Sequence, residues 1–138
     1  MKTEDNVLSI KRMHFLKSLG LDISNASACW YLPTDDNYKW VVLPTQQTVI
    51  NYYECVPTYT LQDMLNMLPN YSLIKSPSLS DTAEYDECEI EVRFDKLHKH
   101  PITHGVNEID AVYNMITYCL LHRLIDTGKS SSIIPVMN

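Results

Sequence analysis

The sequence predicts a single α+β domain: an antiparallel sheet of about four or five strands, with an N-terminal helix, a short middle helix and a long C-terminal helix packed on one face. Three observations lead there. Residues 107–127 (NEIDAVYNMITYCLLHRLIDT) carry the longest apolar periodicity in the chain. In residues 85–95 (YDECEIEVRFD), charged and apolar residues alternate from Glu87 onward. Between residues 28 and 56, short β-prone runs are separated by turn chemistry.

In the C-terminal segment, Ile109, Val112, Tyr113, Ile116, Cys119, Leu120 and Leu124 follow the i, i+3, i+4, i+7 rule for one helix face. Asn107 suits an N-cap, and Glu108 and Asp110 suit the positive first turn. Gly128 is placed to end the helix in the left-handed conformation. Met115 and Leu121 widen the apolar face, so the helix is expected to lie deep against a sheet.

At the other end, residues 5–19 read as a helix with Leu8, Phe15, Leu16 and Leu19 on its inner face and Gly20 as its stop. Residues 28–32 (ACWYL) and 38–43 (YKWVVL) form the two arms of a hairpin around Pro33-Thr-Asp-Asp-Asn, which places Trp30 near Trp40. Residues 48–56 are a third strand. Thr60-Leu-Gln-Asp then opens the middle helix, residues 60–68, as a capping box with Asp63 in the Glu/Gln position. Leu61, Met64, Leu65 and Leu68 make its apolar stripe. Residues 71–74 are a short strand and the serine-rich stretch after them a loop. In residues 85–95, Cys88, Ile90, Val92 and Phe94 point to the core while Glu87, Glu89, Glu91 and Arg93 point to water. The following KLHKHPITHGV reads as a connector, and residues 129–138 as a tail that frays or docks onto the sheet. The domain thus spans residues 1–138, with its core between about 7 and 128.

Composition narrows the function classes. A formal charge of −6 is the wrong sign for a nucleic-acid binder or for attachment to anionic lipid, so neither partner is expected. Acids stand in the first residues where a signal peptide would be apolar, and no run reaches membrane-spanning length; the expected compartment is the cytoplasm. The four cysteines are scattered singly, without a CxxC pair, and read as reduced small hydrophobic residues. With only three glycines, phosphate-cradling loops are effectively excluded, and the GxSxG, HExxH and EF-hand patterns are missing from the sequence. No cofactor is expected.

Two groups of residues carry what chemistry there is. Glu87, Glu89 and Glu91 form an acidic stripe on one strand face. Without an apolar pocket to split their pKa values they are poor acid/base partners. They are better as an electronegative surface for a basic protein, and keeping an exposed sheet soluble is the commoner use of such a stripe. His98, His100 and His104, with Asp95 nearby, are the one arrangement resembling a three-histidine zinc site. Lys96 and Lys99 interrupt the cluster, and a solvated connector is its ordinary reading.

The WY…W hairpin, the segment PTYTLQDMLNMLP and the ending DAVYNMITYCLLHRLIDTG together resemble a group of small proteins found in prophages and mobile elements of gut bacteria. The resemblance covers residues 16–128 and leaves out the acidic strand and the HKHPITH loop. It implies a sheet preceded by a short L-x-x-L-P helix and closed by an apolar helix. It supplies no activity and no catalytic residues, and it implies an accessory protein of a mobile element. The leading expectation is therefore a non-enzymatic protein-binding protein that uses the acidic sheet face, with a protein partner or self-association. The alternatives are a metal-dependent hydrolase built on His98, His100 and His104, and a structural homo-oligomer subunit joined through an unpaired sheet edge.

Overall fold

In the computed structural model, residues 6–33, 39–45, 52–76 and 87–127 are described. Three helices and two three-stranded antiparallel sheets are built from them. The first helix, α1, is Ile10–Ser18. Strands β1 (Ala28–Pro33), β2 (Val41–Pro44) and β3 (Tyr52–Thr58) form one sheet in the order β2-β1-β3. Helix α2 (Leu61–Leu65) leads to β4 (Asn70–Ser76), β5 (Glu87–Arg93) and β6 (Ile102–Gly105), a second sheet in the order β4-β5-β6, and α3 (Glu108–Leu121) is the last element among the described residues. The expected single sheet of four or five strands is thus corrected to two sheets. The physical reason lies at Tyr59–Leu68: after β3 the chain turns into α2, so β4 starts a new ladder with β5 instead of adding to β3.

Helix α1 begins later than its apolar pattern proposes. Residues 7 and 8 are engaged elsewhere. Val7 bridges Thr60, and the Leu8 amide donates to the Tyr59 carbonyl at 3.0 Å. The Leu8 carbonyl accepts from Trp30 Nε1 at 2.8 Å and from Thr58 Oγ1 at 2.7 Å. Ser9 then caps the helix, its hydroxyl accepting from the Arg12 amide. Met13 and Leu16 face the core, whereas Phe15, expected on the inner face, is exposed. Gly20 ends the helix as expected, at φ +97°, with Gly20 N–H donating to Lys17 O and Leu21 N–H to Leu16 O. These two bonds make a Schellman motif.

The β1–β2 hairpin forms with Trp30 opposite Val42, while Trp40 falls just before β2. Pro57 lies within β3, where an edge strand tolerates a residue without an amide proton. At α2 both capping-box bonds are made: Thr60 Oγ1 accepts from the Asp63 amide at 3.1 Å, and Asp63 Oδ2 accepts from the Thr60 amide at 3.0 Å. The same Asp63 oxygen accepts from the Ser27 amide at 3.1 Å and its hydroxyl at 2.7 Å, which ties α2 to the start of β1.

Cys88, Ile90, Val92 and Phe94 are buried, as the alternation in β5 requires. They meet Ala111, Val112, Met115, Ile116, Cys119 and Leu120 of α3 in one core that also takes in Met13, Leu16, Tyr59, Met64 and Leu65. Asn107 caps α3, accepting from the Asp110 amide at 2.8 Å. The helix stops at Leu121, well before the expected Thr127. A second Schellman motif ends it, with Arg123 in the left-handed position (φ 56°), Arg123 N–H on Leu120 O and Leu124 N–H on Cys119 O at 2.8 Å. Arg123 thus fills the place expected for Gly128, which lies outside the described residues together with the tail. Arg12 joins α1 to α3 through an ion pair with Asp110 and stacks over the Tyr113 ring at 4.4 Å.

Candidate functional site

Because α3 covers the inner face of the β4-β5-β6 sheet, Glu89 and Glu91 of β5 project from the other side. Cross-strand register sets their neighbours. Glu89 lies between Ile74 of β4 and His104 of β6, and Glu91 between Ser72 and Ile102. Ile74 and Ile102 remain 51% and 49% exposed. The stripe is therefore an acidic centre with an isoleucine on each side, a mixed face and not a purely charged one. The side chain of Glu87 lies outside the described residues.

A 3-10 turn, Asp95–Leu97, begins at the last residue read as strand and runs into the segment read as a connector, which also contains the strand β6. It separates the three histidines. His98 occupies a left-handed position (φ 53°) after the turn, and its amide donates to Asp95 O. His100 follows the bridge between Phe94 and Lys99. His104 faces the outer side of the sheet, where Nε2 lies 3.0 Å from Glu89 Oε1. Among the described residues, no three His, Cys, Asp or Glu side chains come together to hold a metal ion. His104 belongs with the acidic face. Both members of its pair are well exposed, so the contact contributes at most about 1 kcal/mol.

Sequence reasoning missed the two isoleucines and β6 itself. The sequence carried little signal for it: Ile102-Thr103-His104-Gly105 shows no apolar–polar alternation, and four residues are too short a run to separate a strand from a loop. Gly105 allows β6 to approach α3. A Cβ there would fall 2.3 Å from the Ala111 nitrogen. Thr103 Oγ1 donates to Ala111 O, and Asn114 Nδ2 donates to His104 O, each at 2.8 Å. These bonds hold the edge strand, and with it His104 and Ile102, against the helix.

Other titratable groups serve the interior. Burial, then the charges of Asp22 and Asp63, push the Tyr59 hydroxyl up to about 12; it donates to Asp22 O at 3.1 Å. Burial raises the Cys119 thiol to about 11, which keeps it protonated and unreactive near neutral pH. Clefts open at the surface among the described residues. One of about 560 Å³ lies between the first turns of α2 and α3, and one of about 450 Å³ is lined by Pro69, Phe94, Asp95 and Leu97; neither Glu89, Glu91 nor any of the three histidines lines either. No helix among the described residues is long and apolar enough to cross a membrane. Compared with protein-family models, curated proteins and solved structures, the chain matches none.

Proposed function

We propose that this chain is a non-enzymatic protein-binding module whose binding surface is the outer face of the β4-β5-β6 sheet. Its partner would be a basic protein segment that also presents apolar side chains. The observation that carries this reading is the pairing of Glu89 and Glu91 with the half-exposed Ile74 and Ile102 on a sheet face that bears no helix among the described residues. Burying the exposed half of each isoleucine would contribute about 1 kcal/mol. The acids, in a chain of formal charge −6, would speed the approach of a cationic partner and fix its orientation more than they would add affinity. Such a balance fits a transient complex. The accessory role in a mobile element implied by the resemblance is consistent with that use and forms part of the proposal.

The test is affinity capture with the untagged chain as bait, at low and moderate salt, beside Glu89→Lys/Glu91→Lys and Ile74→Ser. Glu54→Lys, on the other sheet, serves as the charge control. A bound protein that is lost with the first two variants, retained with the control and weakened by salt supports the reading. Capture of the same proteins at the same salt midpoint by all four baits would remove this face from consideration.

A further inference from the structure

We propose that Cys29 and Cys55 form a two-thiolate site for a soft monovalent cation, copper(I), on the outer face of the β2-β1-β3 sheet. The register of β1 and β3 places Tyr31 opposite Cys55 and Cys29 opposite Pro57. Both cysteines therefore stand on one sheet face, diagonal to each other. That is the face away from Ala28 and Val42, which are buried. Cys55 is exposed and Cys29 half-buried, so the pair is open to solvent. Cys29 Sγ lies 3.7 Å from Thr45 Oγ1. Val41, Leu43 and Pro57 surround the pair with apolar surface on the same face.

Geometry separates metal binding from disulfide formation. Diagonal positions across an antiparallel pair lie roughly 7–8 Å apart. An unstrained disulfide needs Cα atoms about 4.4–6.8 Å apart and sulfurs about 2.05 Å apart. A bridging metal with bonds of about 2.3 Å to each sulfur spans up to about 4.6 Å between them, so the pair closes on an ion without moving the strands. Zinc asks for four ligands, and no larger donor cluster exists among the described residues. Thiolates select copper(I), which accepts two ligands in line. The step balances as two thiols plus one copper(I) giving one copper dithiolate of charge −1 and two released protons.

The experiment is an anaerobic titration of the reduced full chain with copper(I) buffered by a chromophoric chelator. Thiol alkylation read by mass spectrometry accompanies it. One equivalent of copper(I) should be retained, and it should protect Cys29 and Cys55 together from alkylation, a readout that requires no variant. Cys29→Ser and Cys55→Ser should each weaken retention at least tenfold, and Cys88→Ser, buried in the other sheet, should leave it unchanged. Equal retention by either outer-face variant, or no uptake by the folded chain, overturns the site.

Discussion

Replacing Gly105 by alanine tests the junction that holds the candidate face to the core. A Cβ at this position would lie 2.3 Å from Ala111 N and 2.7 Å from both Asp110 C and Asp110 Cβ. Two of these atoms belong to the α3 backbone, and ordinary contact begins at about 3.4 Å, so the strand and helix would have to separate by roughly 1 Å. Overpacking of this kind costs about 1–3 kcal/mol. The separation would also stretch the bonds from Thr103 Oγ1 to Ala111 O, from Asn114 Nδ2 to His104 O and from the Val106 amide to Asp110 Oδ2. At about 1 kcal/mol for each bond fully lost, partial loss brings the expected destabilisation to about 2–4 kcal/mol. Urea unfolding followed by circular dichroism reads it as a midpoint lowered by about 1–3 M with an unchanged slope. The comparison with Gly20 shows which property of glycine matters. At Gly20 the nearest obstacle to a Cβ is Thr127 Cγ2 at 3.9 Å, and the demand is φ +97°. Gly20→Asn should therefore be milder than Gly20→Ala, while Gly105→Asn should be worse than Gly105→Ala. A Gly105→Ala cost under about 0.5 kcal/mol would refute the close-approach argument.

Three further outcomes are expected. Arg123→Gly relieves a Cβ held at φ 56° on an exposed residue, and should raise stability by about 0.5–1 kcal/mol in the same urea assay. Asp63→Ala removes an acceptor shared by the Thr60 amide, the Ser27 amide and the Ser27 hydroxyl, and should cost about 2 kcal/mol; Asp63→Asn, which keeps an acceptor oxygen, should recover part of it. Tyr59 titrates at about 12 when folded against 10.0 for the free side chain, so the folded state holds its proton more tightly. Its contribution is complete below pH 10 and is lost as pH rises from about 10 towards 12, and Tyr59→Phe should flatten that part of the stability–pH curve.

How much was legible follows from the range over which each signal acts. Local rules placed Thr60 and Asp63 in a reciprocal cap, Asn107 at the head of α3 and Gly20 at the end of α1, because each depends on atoms within a few residues. The period of two in β5 likewise fixed which of its residues are buried, since alternation leaves no other choice once one face meets a core. Helix ends that answer to distant partners were misplaced. Leu8 has helical neighbours in sequence, yet Tyr59, Trp30 and Thr58 claim its amide and carbonyl.

By itself, then, the sequence determined the α+β class, the cores of the helices, the buried face of β5 and the outer position of Glu89 and Glu91. Only the tertiary structure decided that there are two sheets and that residues 95–105 become a 3-10 turn and an edge strand. It also decided that isoleucines flank the acids and that Cys29 stands diagonal to Cys55. The physical reason is that hydrophobic periodicity records how each residue meets water or core along its own strand. Which strand lies beside it depends on pairing energies between segments far apart in the chain, and no single run of residues carries that information.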